Sequence, residues 1–207
     1  SDLLQKIGDV YGVEPQVIAA LWGVETNYGN NSGNFDIIQS VVTLSYDGRR
    51  SNYFRGELFE ALKILDEGHV DLPRMKGSWA GAMGQIQFMP SSFFRYAQDF
   101  DNDGHRDIWG NEADIFASAA NYLASSGWKK GEPWGRKARL PETFDRNLLG
   151  LEQAHSLRYW HDRGVRLADG KALPFGEVEQ ASIIQPDGPG TSAFIVYGNY
   201  KTILKWN

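Results

Sequence analysis

The stretch Ala20–Asn30, with the sequence ALWGVETNYGN, places a glutamate on the face of a helix that we expect to be buried. Pro15 suits the first turn of that helix, because its missing N–H is not needed there, and the helix is predicted over Pro15–Tyr28. The apolar residues at positions i, i+3 and i+4 of one face are Ile18, Leu21 and Trp22. Glu25 takes the i+7 position on the same face, so a carboxyl group stands where an apolar residue is expected.

A carboxyl group that faces a protein core loses hydration, and this loss raises its pKa. If Glu25 stays protonated near neutral pH, it can donate a proton to a leaving oxygen, which is the first half of glycosidic bond cleavage. The periodicity is also compatible with a glutamate at the edge of the buried face, or with one paired to Arg49 or Arg50. Glu25 is therefore a candidate catalytic acid, and its environment decides between these interpretations.

The composition of the 207 residues is typical of a globular protein, with 42% hydrophobic and 23% charged residues. The length allows one good-sized domain, or a domain with a small appendage, around a substantial core. A net charge of −5 argues against nucleic acid as a partner, because nucleic acid requires a basic surface. No apolar run approaches the ~20 residues of a transmembrane helix. The absence of cysteine excludes disulfides and cysteine-ligated zinc.

The order of predicted elements indicates a mainly α fold of the α+β class, in which a helical core carries a small α/β insert. After the helix with Glu25, helices are predicted over Asp36–Ser45, Tyr53–Glu67, a segment opening at Pro90, and Asn111–Ser126. Turn residues become frequent beyond Trp134, and the predicted strands are Val165–Leu167, Ala181–Gln185 and Ala193–Tyr197. The chain begins at Ser1 and ends directly after an apolar run, so we expect a processed and truncated form.

The segment Gly77–Pro90, with the sequence GSWAGAMGQIQFMP, is rich in glycine and alanine. Such small residues let one backbone segment approach another, or a ligand, closely. Ser78 and Gln87 offer a hydroxyl and an amide, which can donate to and accept from the polar groups of sugars. The simpler alternative is a glycine-rich turn that packs two helices together.

Carboxylates recur at alternate positions in a loop that follows the glycine-rich segment. The residues that match positions 1, 3, 5 and 6 of an EF-hand loop are Asp99, Asp101, Asp103 and Gly104. His105 at position 7 would ligate through its backbone carbonyl, whereas position 12 is Gly110 instead of a glutamate. Asp114 in the next helix can supply the missing carboxylate. The loop is predicted to bind a structural calcium ion or to form a solvated acidic turn, and no cofactor is expected for the chemistry.

Taken together, these segments resemble the lytic murein transglycosylases of the B type (glycoside hydrolase family 103), periplasmic enzymes of Gram-negative bacteria that cleave peptidoglycan. The resemblance extends from Tyr11 to Asn207. Its most specific segments are, in chain order, Gly23–Thr26, Ser78–Gly84, Gln87–Ser92 and Ala120–Tyr122. It implies a lysozyme-like helical core in 1–130 with an EF-hand-like loop at 99–114, a small α/β insert in 131–195, and a return to the core in 196–207.

The resemblance also implies roles for individual side chains. Glu25 would be the single catalytic acid and base. The positions that match residues contacting the sugar, or supporting the glutamate, are Ser78, Gln87 and Tyr122. Arg49 and Arg50 match arginines that face the carboxylates of the peptide stem. The pair Trp206 and Asn207 matches a Tyr-Asn pair whose asparagine holds the N-acetylmuramyl residue, with tryptophan in place of the tyrosine.

The activity implied by the resemblance is cleavage of the β-1,4 bond between N-acetylmuramic acid and N-acetylglucosamine, with formation of a 1,6-anhydromuramyl product. A hydrolytic muramidase of the lysozyme type and a non-catalytic glycan-binding module are the alternatives. The expected partners are peptidoglycan glycan strands and proteins of cell-wall synthesis. We expect a monomer in the periplasm of a Gram-negative bacterium, associated with the outer membrane in its full-length form.

Overall fold

The computed structural model describes residues 1–176 and 178–206, and the chain divides into two compact units. The first unit is Ser1–Ser125 and the second is Ser126–Asn207. Residues 196–206 cluster with the second unit, whereas the sequence predicts a return of this segment to the helical core. The domain boundaries predicted near residues 130 and 195 stay a prediction.

The first unit is helical apart from one short β-ladder. Its helices are α1 (Asp2–Tyr11), α2 (Pro15–Thr26), α3 (Ile37–Tyr46), α4 (Ser51–Asp66), α5 (Pro90–Tyr96) and α6 (Glu112–Ser125). Strands β1 (Phe35–Asp36) and β2 (Lys76–Gly77) pair antiparallel, and a 3-10 turn covers Leu72–Arg74. The helices expected from apolar spacing are confirmed, and α1 is an additional helix outside the sequence prediction.

Local sequence explains where these helices begin and end. Pro15 occupies the first turn of α2, as predicted, and Asn27 ends the helix in the left-handed conformation with φ of 50°. The helix is shorter than predicted, because this left-handed residue reverses the chain before Tyr28. At the start of α1, the hydroxyl of Ser1 accepts a hydrogen bond from the N–H of Leu4 (3.4 Å).

Helix α6 lies at the centre of the first unit. Every residue from Asp114 to Ala120 is buried, and the helix contacts α1, α2 and α5. The alanines and the serine in this run let neighbouring helices approach closely, while Ile115 and Phe116 fill the core. Because α6 is surrounded, the helices packed on it are held in a fixed arrangement.

The second unit is built on an antiparallel sheet. Its strands are β3 (Gly135–Arg139), β4 (Arg166–Leu167), β5 (Ser182–Ile184) and β6 (Ala193–Val196), in the order β4-β3-β6-β5. Helices α7 (Leu157–Asp162) and α8 (Gly198–Ile203) and a 3-10 turn at Arg146–Leu148 complete the described elements. The three predicted strands are confirmed within shorter bounds. Strand β3 lies outside the prediction, because its sequence GRKAR buries only Ala138 among charged residues.

Trp160 forms the centre of the core of the second unit. Its ring is fully buried, and its indole N–H donates to the carbonyl oxygen of Ala181 (2.8 Å). Asn199 is also fully buried, and its side chain donates to the carbonyl oxygens of Lys129 (2.9 Å) and Glu132 (2.7 Å). The same side chain accepts from the N–H of Lys129 (2.8 Å), so one amide fastens the 129–132 turn to α8.

The two units together confirm a mainly α fold of the α+β class, with a helical part followed by a smaller α/β part. None of the helices in the described ranges combines the length and the apolar character that crossing a bilayer requires.

Candidate active site

Glu25 lies in the last turn of α2, one residue before the helix ends. Its side chain is partly buried, whereas the preceding Val24 is 82% exposed and the following Thr26 is buried. A carboxyl group at such a boundary combines partial loss of hydration with access from solvent, as a proton donor to a ligand requires. The rise expected in the pKa of Glu25 stays a prediction.

The end of α2 is fastened to the glycine-rich segment by the side chain of Thr26. Its hydroxyl donates to the carbonyl oxygen of Gln85 (2.8 Å) and accepts from the N–H of Gly29 (3.1 Å). Both bonds are shielded from water, because Thr26 is buried. The backbone that carries Glu25 is therefore fixed relative to the segment that carries Ser78 and Gln87.

The chain leaves α2 through three consecutive left-handed residues, Asn27 (φ 50°), Tyr28 (φ 58°) and Gly29 (φ 79°). This conformation is costly for a bulky residue such as tyrosine. The ring of Tyr28 folds back onto the helix, so a β-carbon at Gly23 would lie 2.8 Å from the tyrosine ring. At Gly29 a β-carbon would overlap the side-chain oxygen of Gln85. The turn after Glu25 thus depends on two glycines and on the position of Gln85.

Gln85 joins three parts of the first unit. Its side-chain oxygen accepts from the indole N–H of Trp22 on α2 (2.8 Å), and its amide nitrogen donates to the carbonyl oxygen of Trp109 (2.8 Å). Its backbone N–H donates to the carbonyl oxygen of Ile108 (2.8 Å). The sequence does not predict these roles of Gln85 and Thr26, because the partners of Gln85 lie far from it in the chain.

Ser78 and Gln87, the polar residues predicted to bind sugar, lie on either side of Gln85 in the glycine-rich segment. The hydroxyl of Ser78 accepts from the N–H of Ala82 (3.1 Å), which leaves its proton for a ligand. The amide nitrogen of Gln87 donates to the carbonyl oxygens of Ser32 (3.0 Å) and Gly84 (2.8 Å). Both amide protons are therefore used, and the part of Gln87 left for a ligand is its carbonyl oxygen.

Tyr122, the third residue matched to sugar contact, belongs to an aromatic cluster. Its ring packs against those of Phe88 and Tyr96, with centroid distances of 5.9 Å and 4.6 Å. The side chain of Asn121 donates to the carbonyl oxygen of Tyr96 (2.9 Å). The cluster joins α5, α6 and the end of the glycine-rich segment, and contact of Tyr122 with a sugar stays a prediction.

Arg49 and Arg50 are exposed and lie in the turn between α3 and α4. Arg49 pairs with Asp47 (3.1 Å), while the guanidinium group of Arg50 lies 4.3 Å from the ring centroid of Tyr53. Both guanidinium groups are accessible to an anionic ligand. Their predicted contact with a peptide stem stays a prediction.

The structure describes one member of the predicted pair at the end of the chain. Trp206 is buried, with 8% of its surface exposed, and follows α8 in the second unit. Asn207, predicted to hold the N-acetylmuramyl residue, lies outside the described residues. An indole with so little exposed surface offers little area to a sugar, and the role of this pair stays a prediction.

Three of the predicted metal ligands lie together, and these are Asp99, Asp101 and Asp114. One carboxylate oxygen from each lies within 4.8 Å of the others. Calcium binds oxygen ligands at about 2.3–2.6 Å, so oxygens that share one ion can lie this far apart. The three carboxylates therefore fit a calcium ion. Asp103 is exposed and outside this group of side chains, and one of its carboxylate oxygens accepts from the N–H of His105 (2.8 Å). Ligation through the backbone carbonyl of His105 stays a prediction.

Asp114 is the buried member of this group. Its two carboxylate oxygens accept from the N–H groups of Phe100 (2.7 Å) and Asp107 (2.8 Å), which ties both halves of the loop to the start of α6. Burial and, to a smaller extent, the neighbouring charges of Asp101 and Asp99 raise the pKa of Asp114 to about 6, against the lowering effect of those two hydrogen bonds. The folded state holds this proton more tightly than the unfolded state, so the metal-free fold loses stability as the pH rises from about 4 through 6.

Cavities of about 290 Å³ to about 630 Å³ lie in the second unit. Their linings come from residues between Lys129 and Tyr200, and no residue predicted for the active site is among them. The groove expected beside Glu25 stays a prediction.

The sequence model of the Transglycosylase SLT domain family matches residues 1–207. The membrane-bound lytic murein transglycosylase B of Escherichia coli (strain K12) is 36% identical over 208 residues, which cover 100% of this chain and 56% of that protein. The structure is similar to SltB3 from Pseudomonas aeruginosa in complex with NAG-anhNAM-pentapeptide, with a TM-score of 0.95 and 46% identity over 99% of this chain and 55% of that one.

A second solved structure, Escherichia coli Slt35 in complex with calcium, has a TM-score of 0.85 and 35% identity, and covers 100% of this chain and 64% of that one. The chain thus spans little more than half the length of the curated relative and of SltB3. These similarities confirm the predicted fold class, a lysozyme-like helical core with a small α/β part.

Replacing Thr26 by valine keeps the shape of the side chain and removes its hydroxyl. We expect Thr26→Val to lower the free energy of unfolding by about 2 kcal/mol, because the partly buried carbonyl oxygen of Gln85 and the N–H of Gly29 lose their partner. Chemical denaturation followed by circular dichroism measures the change.

Thr43→Val is the matched control, because the Thr43 hydroxyl bonds the carbonyl oxygen of Gln39 (2.8 Å) on the exposed side of α3. Its effect should stay within about 0.5 kcal/mol. Equal losses of unfolding free energy in the two variants would contradict the role of the Thr26 hydroxyl in fastening α2.

Proposed function

The chain belongs to the Transglycosylase SLT domain family, and we propose on that basis that it carries the catalytic centre of a lytic transglycosylase acting on peptidoglycan. The reaction would cleave the β-1,4 bond between N-acetylmuramic acid and N-acetylglucosamine and leave a 1,6-anhydromuramyl end. Support comes from SltB3, which is 46% identical and has been solved in complex with NAG-anhNAM-pentapeptide. Family membership agrees with the resemblance drawn from the sequence.

The observation that carries this proposal is the attachment of the Glu25 helix to the glycine-rich segment. Thr26 and Trp22 bond the backbone and side chain of Gln85, while Gln87 bonds the carbonyl oxygen of Ser32. The helix that carries a partly buried carboxyl group is thus attached to a segment with a hydroxyl that can donate and an amide oxygen that can accept. That set of groups suits an N-acetylated sugar.

In the first step, protonated Glu25 gives its proton to the oxygen that links N-acetylmuramic acid to the next N-acetylglucosamine. The bond from C1 to that oxygen breaks, and positive charge develops at C1. The 2-acetamido group of the muramyl residue stabilises this centre, so no second carboxylate of the enzyme is required. The N-acetylglucosamine portion leaves with a free hydroxyl.

In the second step, Glu25 is ionised and acts as a base. It takes the proton from the C6 hydroxyl of the same muramyl residue, and the C6 oxygen bonds to C1 to close the 1,6-anhydro ring. Glu25 is protonated again at the end of the cycle. Since no water is consumed, the reaction is formally a lyase reaction.

The remaining predicted residues would bind the strand. Ser78 would donate to a sugar oxygen, and Gln87 would accept from a hydroxyl or an acetamido N–H. Tyr122 would support this side of the site through its aromatic cluster. Arg49 and Arg50 would meet the carboxylates of the peptide stem. For Trp206 and Asn207, contact with the muramyl residue rests on the matched motif alone.

A structural calcium ion would be held by Asp99, Asp101 and Asp114, with Asp103 and the carbonyl of His105 as further candidates. The ion would neutralise neighbouring carboxylates and stabilise the loop, and it would take no part in bond cleavage. The geometry of the three aspartates supports this assignment, as does the calcium complex of Slt35.

The proposed setting is the periplasm of a Gram-negative bacterium, with peptidoglycan glycan strands and proteins of cell-wall synthesis as partners and a monomeric chain. The E. coli relative, which is named as a membrane-bound murein transglycosylase, supports a place in the bacterial envelope.

Glu25→Gln keeps the size of the side chain and removes the transferable proton. We expect the release of 1,6-anhydromuramyl products from purified peptidoglycan to fall at least about 100-fold, as for loss of a general acid and base. Mass spectrometry of the soluble products measures this release. Glu60→Gln on α4 is the matched control.

Products with reducing ends, one water heavier, would indicate a muramidase instead. Binding of peptidoglycan without any release by the wild type would indicate a glycan-binding module. Release at the wild-type rate by Glu25→Gln would contradict the role of Glu25.

Calcium should raise the melting temperature of the chelator-treated protein at neutral pH, because the ion offsets the cost of ionising buried Asp114. In the Asp114→Asn variant, calcium should no longer raise the melting temperature. Asp66→Asn, at an exposed position on α4, is the control and should keep the rise. Differential scanning calorimetry with and without calcium measures the shift. A wild-type melting temperature that calcium leaves unchanged would contradict the proposed site.

A further inference from the structure

The sheet of the second unit buries one of its two faces. Ala138 of β3, Ile183 of β5 and Ile195 of β6 belong to one core together with Leu157 and Trp160 of α7. Side chains alternate between the two faces along a strand, and directly paired residues point to the same face. Helix α7 therefore covers this face, and the residues next to the three strand residues point to the opposite one, which we call the outer face.

The strand register gives the composition of the outer face. Lys137 of β3 pairs directly with Phe194 of β6, and Phe194 pairs directly with Ile184 of β5. Because neighbouring strands lie about 4.8 Å apart, these three residues form a row about 10 Å long. Arg139 follows Lys137 by two residues on the same face and pairs directly with Arg166 of β4. The outer face thus has cationic residues on β3 and β4 and apolar residues on β5 and β6.

The part of the outer face that holds this row is open to solvent. Lys137 and Arg139 are exposed, and Phe194 is partly exposed. Ser182 and Val196, which pair with each other further along β5 and β6, are buried. A ligand can therefore reach the cations and the apolar residues of the row from the same side.

The two exposed cations have no carboxylate partner among the residues that the structure describes. Neither Lys137 nor Arg139 makes a salt bridge there. The guanidinium group of Arg166 donates to the carbonyl oxygens of His161 (2.7 Å) and Val165 (2.8 Å), so it is held by neutral groups. Like charges that lie directly opposite each other destabilise a sheet, and an anion beside Arg139 would relieve this repulsion.

The charge of the second unit favours the same ligand chemistry. Residues 126–207 contain 12 Lys and Arg against 9 Asp and Glu, a net charge of +3, whereas residues 1–125 contain 9 against 17, a net charge of −8. Asp169, in the turn after β4, is paired with Lys171 (2.7 Å). An anionic surface is therefore attracted to the second unit and repelled by the first.

The apolar end of the row borders a cavity of about 370 Å³, which Ile184 lines. None of the described residues around this cavity is charged, and Gln185 contributes an amide. The other large side chains of the lining are Leu149, Leu151, Pro186, Pro189 and Tyr200. A hydrocarbon chain suits such a lining, because it gains from burial and requires no hydrogen-bond partners.

We propose that the outer face binds an anionic phospholipid at a membrane surface, with the headgroup at Lys137 and Arg139 and an acyl chain that passes Phe194 towards the cavity at Ile184. Cations attract anionic headgroups, while the neighbouring apolar side chains contact the acyl chains. A free phosphate ion would use the cations alone and would leave the apolar half of the row uncovered. The inference goes beyond the proposed activity and does not depend on it.

Co-sedimentation with lipid vesicles tests this site. The wild type should bind vesicles of phosphatidylglycerol and phosphatidylethanolamine, and added salt should weaken the binding because it screens the charges. Vesicles of phosphatidylcholine alone should leave the protein in the supernatant. Lys137→Gln and Arg139→Gln should each weaken binding about fivefold, as for one cation near an anionic membrane surface. Phe194→Thr keeps the net charge and should also weaken binding about fivefold, because it removes apolar contact.

Arg158→Gln/Arg163→Gln is the matched control for the Lys137→Gln/Arg139→Gln double variant. Both double variants remove the same charge, and all four residues are exposed. Arg158 lies on α7 and Arg163 directly follows it, on the side of the sheet that α7 covers. The control should therefore bind vesicles like the wild type. Circular dichroism establishes that each variant is folded.

Three results in the vesicle assay would overturn the lipid site. The first is wild-type binding to phosphatidylglycerol vesicles that is no stronger than binding to phosphatidylcholine vesicles. The second is an equal loss in the two double variants, because binding would then follow net charge alone. The third is full binding by Phe194→Thr together with displacement by inorganic phosphate beyond that by sodium chloride of equal ionic strength, which would indicate a site for the free anion.

The proposed activity is measured separately, as release of anhydro products from soluble glycan strands. Lys137→Gln/Arg139→Gln should keep the wild-type rate in that assay, because neither residue is assigned to the candidate active site. A loss of this rate would place the glycan on the outer face and would overturn the lipid assignment. An absence of anhydro products from the wild type would contradict the proposed function, whereas the lipid site is decided by the vesicle assay.

Discussion

The hydrogen bond from the hydroxyl of Thr26 to the carbonyl oxygen of Gln85 joins the helix that carries Glu25 to the glycine-rich segment. The indole of Trp22 bonds the side chain of the same glutamine, so the last turn of α2 is attached at two points. A proton donor works only when its distance to the reacting oxygen is fixed. These two bonds hold the backbone that carries Glu25 in place.

Glycine makes this attachment possible. A β-carbon at Gly29 would overlap the side chain of Gln85, and one at Gly77 would overlap the carbonyl oxygen of Ala82. At Gly33 it would overlap the carbonyl oxygen of Gly77. The backbone segments around the site therefore lie in direct contact, which leaves Ser78 and Gln87 in defined positions.

The sequence predicts those parts of the fold that depend on local pattern. Apolar spacing places the helices, and Pro15 marks the start of α2. Asp114 lies beside Asp99 and Asp101, as expected for a carboxylate of the next helix that replaces the glutamate missing from position 12 of the EF-hand-like loop. Strand β3 cannot be predicted in this way, because its charged residues show no strand pattern. The strand is stabilised by its pairing with β6.

The contacts of the site depend on partners that lie far apart in the chain, and periodicity carries no information about them. Gln85 bonds Trp22 across 63 residues, and nothing in the glycine-rich segment singles it out from Gln87. The two glutamines have different partners, since Gln85 fastens the helix, whereas the amide nitrogen of Gln87 donates to the carbonyl oxygens of Ser32 and Gly84. The two glutamines can be told apart only by their contacts in the folded structure.

A structure of the Glu25→Gln variant with a bound glycan strand tests the central claim most directly. We expect the glycosidic oxygen of the muramyl residue within about 3 Å of the side chain at position 25, with Ser78 and Gln87 on the same sugar. A strand bound elsewhere on the first unit, with that side chain facing only solvent, would contradict the account.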